Sequence, residues 1–280
     1  MRQYLDLLQD VLDNGIIRKE DVQGVGNKVV FARTMRFNLA DGFPLMTTKK
    51  VNYQYVLTEL LWFLTGESYP NYLEDHNNPI WRPWYSKEAF EKYNLCEEYG
   101  LKEGDLGRIY GPQWVRWLCR DGKEINQIQK LIDGLKNNPN SKRHKVIAWN
   151  PEDVDKVFVA PCHGDFKCCV LDGVLHLHMN QRSADVVIGI PYNIASYATL
   201  LLMLAQVTGL KPGELSITTE DTHIYLDNIE AAKKQLERSP LSLPTLKLNP
   251  NVEDIFKFEP GDFELIGYNH HSFIQAPVAV

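Results

Sequence analysis

Cys162 follows Pro161 and precedes His163, and it is the side chain of this sequence best suited to act as a nucleophile. A thiolate is a strong nucleophile, and a fixed backbone with a neighbouring imidazole can hold and activate it. A cysteine beside a histidine is also compatible with an ordinary core, in which the thiol packs as a small apolar group. The dipeptide alone leaves both interpretations open.

Two later segments supply groups that complement such a nucleophile. The segment QRSADV places the cation Arg182 beside the hydroxyl of Ser183, a pair suited to binding an oxyanion or a phosphate. Asn193 lies in a Gly-Ile-Pro-Tyr-Asn turn, and its side chain offers a donor and an acceptor to an amide-like edge. These neighbours favour the nucleophilic interpretation of Cys162.

The hydrophobic pattern predicts the elements that position these residues. Helical spacing predicts a helix that ends at Asn14-Gly15, a helix from Val51 to Gly66, a charged helical insertion over 85–103, a helix over 124–136 and a buried helix over 194–207. Alternation predicts strands over 28–39, 165–169, 174–179 and 216–228. The apolar run over 194–207 is shorter than the about 20 residues that span a bilayer, so we expect a core helix.

Composition limits the class of protein. A chain of 280 residues with 44% hydrophobic content can bury a large core, and no Gly/Ser or Pro linker divides it, so we predict one domain over 1–280. Length alone would also allow two smaller domains. The formal charge of -6 does not favour a nucleic-acid-coating role, so we expect no DNA partner and only a local anion site.

The cysteines and the N-terminal segment indicate the compartment. The five cysteines include no CxxC pair and leave an odd thiol, which favours neither a disulfide framework nor a zinc knuckle. The N-terminal segment lacks the uninterrupted apolar core of a signal peptide. We therefore expect a cytoplasmic protein that does not enter a membrane.

Glu59 stands out in the helix that ends near Gly66, because Leu60, Leu61 and Trp62 follow it directly. A buried carboxylate is costly without a partner, and burial raises its pKa towards the range useful for proton transfer. The alternative is an exposed helical glutamate.

His176 and His178 share one face of a predicted strand and could together bind a metal ion. The sequence offers no convincing third ligand, so we predict no metal site.

Four motifs, PCH, QRSADV, GIPYNIASYA and DTHIY, resemble those of the thymidylate synthase family in the same order and at similar separations. The segments ELLWFLTGE, HNNPIWRPW, GDLGRIYGPQW and APVAV extend this resemblance over nearly the whole chain. The family also includes hydroxymethylases that act on pyrimidine nucleotides. The resemblance implies an α+β fold with a large mixed β-sheet flanked by helices, and a homodimer that shares its phosphate site.

The resemblance also implies a reaction and its participants. The expected substrates are a pyrimidine nucleotide and 5,10-methylenetetrahydrofolate, a reduced folate that supplies one carbon, with no metal. The implied catalytic residues are Cys162, Glu59, His163, Tyr110, Arg182, Asp185 and Asn193. The implied nucleotide-binding residues are Lys142, Arg143, Gln181, Arg182, Ser183, Asp185, Asn193, His223 and Tyr225, and the implied folate-binding residues are Ile80, Trp81, Asp185, Gly189 and Ala279.

Several of these residues also have a simpler, purely structural explanation. Ile80 and Trp81 could pack in the core, and His223 and Tyr225 could be ordinary strand residues. Asn193 distinguishes uracil from cytosine as the substrate base. Its amide can donate to the carbonyl at pyrimidine position 4 and accept from the ring N–H of uracil. A cytosine-selective relative is expected to carry Asp there.

The phosphate site departs from the family pattern at two positions. Val22 follows Asp21 where the family has an arginine, and Lys142 stands beside Arg143 in a basic cluster with His144 and Lys145 where the family has two arginines. Lysine keeps the charge but loses the bidentate fork. Arg18, Lys19 or Lys28 could replace the missing cation.

These departures leave three functions to distinguish. Reduction of the bound intermediate by hydride gives a methylated nucleotide, whereas addition of water gives a 5-hydroxymethyl nucleotide. A sensor or RNA-binding relative would use the pocket without turnover. Trp81 and the C-terminal APVAV favour a folate held under a closed lid, and hence methylation, while a ribonucleotide substrate stays possible.

Overall fold

The structure, a computed structural model, describes residues 1–21 and 23–279. The helices are α1 (Arg2–Asn14), α2 (Tyr53–Thr65), α3 (Asn71–Asp75), α4 (Arg82–Tyr85), α5 (Lys87–Tyr93), α6 (Leu95–Glu98), α7 (Tyr110–Val115), α8 (Gln127–Asn137), α9 (Gly189–Thr208) and α10 (Ile229–Leu236). The strands are β1 (Ile16–Arg18), β2 (Asn27–Asn38), β3 (Trp117–Leu118), β4 (Glu124–Ile125), β5 (Lys145–Val146), β6 (Asp165–Leu171), β7 (Val174–Asp185), β8 (Lys211–Tyr225), β9 (Thr245–Leu248) and β10 (Phe263–Ile266). Short 3₁₀ helices lie at Leu39–Asp41, Val154–Lys156, Leu226–Asn228, Ile255–Lys257 and Pro260–Asp262.

The main sheet has six strands in the order β1-β2-β8-β7-β6-β5. Its neighbouring strands are antiparallel except for β7 and β8, which are parallel and are joined by α9. A parallel pair needs such a crossover, because a tight turn cannot return the chain in the same direction. The predicted α+β class with a large mixed sheet and flanking helices is confirmed.

Helix α9 is the central helix of the core and is longer than the predicted apolar run. It begins at Gly189, so the Gly-Ile-Pro-Tyr-Asn segment is its first turn. By length and hydropathy it could cross a membrane, but 83% of its apolar window is buried in the protein. The predicted core helix is therefore confirmed by its burial, although the premise that the segment is too short to span a membrane was wrong.

Several other element boundaries also differ from the sequence prediction: the helical insertion predicted over 85–103 is formed by α5 and α6, and β8 covers Lys211–Tyr225 where a strand over 216–228 was predicted. Helix α8 begins at Gln127, because the Asn126 side chain caps it by accepting from the amide of Gln129 at 2.9 Å. Strand β7 continues beyond the predicted end at Met179 as far as Asp185. The QRSAD segment therefore belongs to a strand in the middle of the sheet.

One row of the sheet is irregular across three neighbouring strands. Ala32 on β2, Glu220 on β8 and Arg182 on β7 lie in this row, and none of them takes part in the regular pairing. Ala32 has a φ of 55°, in the left-handed region that residues other than glycine seldom adopt. The main-chain amide of Arg182 donates to the carbonyl of Cys162 at 2.8 Å, beyond Asp165 and Asn180, the last pair of β6 and β7.

Candidate active site

The loop that carries Cys162 is fixed by hydrogen bonds from several elements. The Cys162 amide donates to the hydroxyl of Tyr110, the first residue of α7, at 2.9 Å, and the Trp114 indole donates to the Gly164 carbonyl at 2.9 Å. Gly164 has a φ of 109°, and an added Cβ would lie 2.5 Å from the Cβ of Ala148. Only glycine fits this position without displacing the loop.

The thiol of Cys162 lies against Arg182. Nη2 of Arg182 is 3.9 Å from the sulfur, and the same guanidinium donates to the carbonyls of Ala160 at 3.2 Å and Pro161 at 3.3 Å. Burial raises the pKa of Cys162, and the positive charge of Arg182 and hydrogen bonds from Tyr110 and Ser183 oppose this rise. Arg182 therefore supplies the cation that a thiolate at this position needs.

The imidazole of His163 has other partners. Its Nδ1 lies 3.0 Å from the hydroxyl of Tyr197, and its ring packs on Tyr110 at 4.5 Å between centroids. Burial lowers the pKa of His163 to about 3, so the ring is neutral at neutral pH. The described contacts thus place Arg182, and not the imidazole expected from the Cys-His dipeptide, against the thiol.

Glu59 on α2 is buried, with 7% of its surface exposed, so the exposed alternative is wrong. Its partner is the indole N–H of Trp81, which donates to Oε1 at 2.7 Å. Burial raises the pKa of Glu59 to about 7, and the Trp81 hydrogen bond opposes the rise. A carboxyl group with this pKa can both donate and accept a proton near neutrality.

Aromatic side chains join Glu59 to the nucleophile loop. The ring of Trp81 contacts that of Tyr110 at 5.9 Å, and Tyr110 in turn stacks on Phe63 at 4.7 Å. Burial raises the pKa of Tyr110 well above its usual value, so its hydroxyl keeps its proton. Glu59, Tyr110 and Cys162 consequently border one site.

The amide of Asn193, in the first turns of α9, has an orientation that can be worked out from its neighbours. Nε2 of Gln181 donates to the main-chain carbonyl of Ser183 at 3.1 Å, and a carbonyl can only accept. The Gln181 nitrogen also lies 3.0 Å from Asn193, so the facing atom must be the acceptor Oδ1. Nδ2 of Asn193 is thereby left for a substrate acceptor. Oε1 of Gln181 is buried and has no partner within the described residues.

Asp185 ends β7 and caps the turn into α9. Its Oδ1 accepts from the amides of Val187 at 2.9 Å and Ile188 at 3.1 Å. Burial raises the pKa of Asp185, opposed by these amides and by the charge of Lys49. Lys49 is buried, donates to the Val187 carbonyl, and has a pKa lowered by burial to about 8. Sequence reasoning missed Lys49, because nothing local distinguishes it from the exposed Lys50.

His223 and Tyr225 end β8 beside these residues. The register pairs His223 with Asp185, and the rings of His223 and Tyr225 lie 5.0 Å apart. Asp221, a DTHIY residue given no role from the sequence, accepts from His223 Nδ1 at 2.9 Å and from Arg18 at 2.8 Å. Arg18 is therefore the proposed substitute cation that the structure connects to the site.

Within the described residues, the structure does not connect the other two candidate cations, Lys19 and Lys28, to the site in this way. Lys28 donates to the Leu12 carbonyl and lines a cleft of about 550 Å³ between α1 and α10. Lys19 is exposed, and Val22 lies outside the described residues.

Lys142 and Arg143 are exposed on the turn that follows α8, and no ion pair involves them within 1–21 and 23–279. His144 was predicted as part of this basic cluster but is buried. Its Nε2 faces the carbonyl of Asn138 at 3.0 Å, so the exposed cluster is Lys142, Arg143 and Lys145.

The predicted folate residues border the site at different depths. Trp81 is buried and Ile80 is half-buried, while Gly189 lies beside the Oδ1 of Asn193. Ala279 is half-buried in the C-terminal segment. Asn228 ties this segment to the end of β8, since its amide donates to the Pro277 carbonyl at 3.0 Å.

The two strand histidines are hydrogen-bonded to protein groups. Nδ1 of His176 accepts from the Glu214 amide at 3.2 Å, and His178 bonds to Ser216 and Asn180. In the part of the chain that the structure describes, no three His, Cys, Asp or Glu side chains form a group able to hold a metal ion.

A comparison with protein families gives one match over essentially the whole chain. The family model described as thymidylate synthase matches residues 2–280. The match therefore includes all the elements that border the site, from α2 to the C-terminal segment.

The neutral state of His163 predicts how stability depends on pH. The folded protein keeps His163 unprotonated down to about pH 3, whereas the unfolded chain protonates it below about 6.5. The contribution of the neutral His163 to the free energy of unfolding is fully present above pH 6.5. It is lost as the pH falls, and the loss is about 2 kcal/mol at pH 5. We expect His163→Gln to lose correspondingly less unfolding free energy than the wild type between pH 7 and pH 5, as measured by urea denaturation.

His76→Gln, which changes the histidine directly after α3, is the matched control and should keep the wild-type difference between pH 7 and pH 5. Equal differences in the His163→Gln and wild-type proteins would contradict the assignment of a neutral buried imidazole.

Proposed function

Because the chain belongs to the thymidylate synthase family, a family of one-carbon transferases, we propose that it methylates dUMP reductively to dTMP. The one-carbon donor in this proposal is 5,10-methylenetetrahydrofolate, which leaves as dihydrofolate. The nucleophile is Cys162, and the proposal rests on how the buried groups around it could handle a uracil ring.

The observation that carries the choice of base is the hydrogen bond from Gln181 to Asn193 at 3.0 Å. It directs Oδ1 of Asn193 towards Gln181 and leaves Nδ2 to donate to the carbonyl at position 4 of uracil. A second lone pair of Oδ1 accepts from the ring N–H. Cytosine presents an amino group and an unprotonated nitrogen at these positions, so it would leave buried groups unpaired.

The first step forms a bond from the Cys162 sulfur to carbon 6 of the pyrimidine. The ring electrons move towards the carbonyl at position 4, which Asn193 stabilises by hydrogen bonding, and carbon 5 becomes nucleophilic. Arg182 stabilises the thiolate before the attack, since its Nη2 lies 3.9 Å from the sulfur. Carbon 5 then attacks the one-carbon unit of the folate.

Glu59 is the proposed proton carrier for the following steps. Its pKa of about 7 allows it to exchange protons with the pyrimidine through ordered water, beside the neutral hydroxyl of Tyr110 and the neutral His163. Loss of a carbon 5 proton and of tetrahydrofolate leaves an exocyclic methylene. Hydride from the tetrahydrofolate reduces this carbon to methyl, and Cys162 then leaves carbon 6.

The remaining residues would hold the two substrates. His223 and Tyr225 bind the 3′-hydroxyl of the sugar, and Arg182 and Ser183 bind the phosphate. Arg18 is the added phosphate cation, because its ion pair with Asp221 already brings it beside His223. Ile80, Trp81, Asp185, Gly189 and Ala279 would contact the folate, with the C-terminal segment held by Asn228.

The proposed homodimer completes the phosphate site with Lys142 and Arg143 from a second copy of the chain. Both side chains are exposed and point to no partner among the described ion pairs. The sheet also leaves large apolar side chains uncovered, with Phe31 of β2 75% exposed and Leu171 of β6 60% exposed. Burial of these side chains against a second copy would stabilise such a dimer.

The altered phosphate site keeps a second candidate open, a pyrimidine nucleotide 5-hydroxymethylase. Val22 and Lys142 stand where the family resemblance leads one to expect arginines. Such an enzyme would share every step up to the exocyclic methylene, which would then add water. Tetrahydrofolate would leave unchanged.

Product analysis distinguishes these functions. We expect the protein to convert dUMP and methylenetetrahydrofolate to dTMP and dihydrofolate, identified by mass spectrometry and by the absorbance of dihydrofolate. Tetrahydrofolate with 5-hydroxymethyl-dUMP would instead establish the hydroxymethylase.

Cys162→Ser should abolish turnover and covalent trapping by 5-fluoro-dUMP. Binding of 5-fluoro-dUMP without trapping by the wild type would indicate a sensor.

The orientation of Asn193 predicts the effect of replacing Gln181. Gln181→Met keeps the side-chain volume but removes the donor to Asn193, so kcat/KM for dUMP should fall by about tenfold to a hundredfold, the effect of one lost buried hydrogen bond. The preference for dUMP over dCMP should shrink as well. Gln206→Met is the matched control, because the Gln206 side-chain nitrogen also donates two hydrogen bonds, both to main-chain carbonyls, but lies at the other end of α9. Unchanged base preference in Gln181→Met would contradict the role of Gln181.

A shared phosphate site predicts complementation between inactive subunits. Cys162→Ser and Arg143→Glu should each be inactive, and their mixture should recover about a quarter of the wild-type activity, because half of randomly paired dimers then contain one intact site. Mixing Cys162→Ser with Asn193→Ala should restore nothing, since both residues serve the site of their own subunit. If the mixture of Cys162→Ser and Arg143→Glu recovers no activity, Arg143 does not serve the site of the other subunit.

A further inference from the structure

The indole of Trp149 lies over the guanidinium of Arg182. The distance from the guanidinium carbon to the ring centroid is 5.1 Å, within the range of a cation–π interaction. Trp149 lies in the segment between β5 and β6, and 37% of its surface is exposed. A large aromatic residue in this position has no core to fill, so its contact with Arg182 needs a separate explanation.

The main chain of Trp149 is fixed by the strand that follows the nucleophile loop. Oδ1 of Asp165, the first residue of β6, accepts from the amide of Ala148 at 2.7 Å and from the amide of Trp149 at 3.2 Å. Asp165 follows Cys162 by three residues. The Trp149 ring and the Cys162 loop therefore share one anchor, and their separation is constrained.

Arg182 needs such a constraint, because its side chain is long and exposed. Its polar contacts, with the carbonyls of Ala160 and Pro161 and with the Cys162 sulfur, are all made by the edge of the guanidinium and are 3.2 Å or longer. Hydrogen bonds at the edge leave the plane free to tilt. A ring packed on the face of the guanidinium fixes the plane and leaves the N–H groups available.

We propose that Trp149 is a positioning residue for Arg182, whose guanidinium it holds against the Cys162 sulfur so that the cation is in place before the nucleotide binds. This inference rests on the proposed function for the assignment of Cys162 as the nucleophile. It adds a residue outside the site that acts on the thiol through Arg182 and touches neither substrate.

Alkylation of Cys162 by iodoacetamide tests this inference without any nucleotide, because the thiolate displaces iodide directly. The rate at Cys162 is measured at pH 7 by mass spectrometry of its peptide, with the exposed Cys96 as an internal reference. Trp149→Leu should slow Cys162 alkylation by about twofold to threefold, the effect of losing one cation–π contact on the thiolate fraction. Trp149→Phe, which keeps an aromatic face, should slow it less.

Trp117→Leu is the matched control, since Trp117 is a half-buried tryptophan on β3, in a separate small sheet, and should leave the rate at Cys162 unchanged. The decisive comparison uses Arg182→Met as a second background. Trp149→Leu should have no further effect there if it acts only through Arg182.

An equal slowing in both backgrounds, or no slowing in the presence of Arg182, would overturn the inference. Failure of the proposed function gives a different result. If the protein forms no methylated product but Trp149→Leu slows alkylation only in the presence of Arg182, the proposed function fails and the role of Trp149 stands. If the protein is an active synthase and this alkylation pattern is absent, the role of Trp149 is refuted.

Discussion

The hydrogen bond from the Arg182 amide to the Cys162 carbonyl joins the sheet to the nucleophile loop, and the rest of the site depends on it. An amide in the middle of a sheet normally pairs with the adjacent strand, and a buried amide without a partner is costly. The bond lies beyond Asp165 and Asn180, the last pair of β6 and β7, so it continues the contact between these strands into the loop before β6. Arg182 thus contributes both a main-chain bond that holds the loop and a side-chain cation that faces the thiol.

The electrostatic character of the site follows from burial. Burial makes His163 neutral and keeps Tyr110 protonated, and it brings the pKa of Glu59 close to neutrality. The same burial would keep the Cys162 thiol protonated, because a thiolate loses its hydration there. Arg182 provides the opposing charge from a partly exposed position, where its own hydration is largely kept. One permanent cation near the thiol and one carboxyl group of adjustable charge are the combination that addition to an electron-poor ring and later proton transfer require.

Much of this fold was predictable from the sequence, because periodicity reports which side of an element is buried. Helix α2 and its end at Gly66, strand β6 and the first half of β7 follow from such patterns. Periodicity does not identify partners that are distant in sequence. The burial of Lys49 depends on Val187, far along the chain, and that of His144 on carbonyl groups of the turn after α8. The contact of Arg182 with Cys162 joins residues 20 positions apart, and no local motif marks it. The motifs gave the candidate site residues, and the structure gave their contacts.

In the proposed function, the choice of nucleobase would follow from such contacts. The main-chain carbonyl of Ser183 can only accept a hydrogen bond, so it orients the amide of Gln181, and Gln181 in turn orients Asn193. No substitution at position 183 removes that carbonyl. The orientation of Asn193 is therefore set by the backbone of β7 through Gln181. In the proposed function, residues 181 to 183 of this strand would thus supply both the cation that faces the Cys162 thiol and the group that orients Asn193 towards the pyrimidine ring.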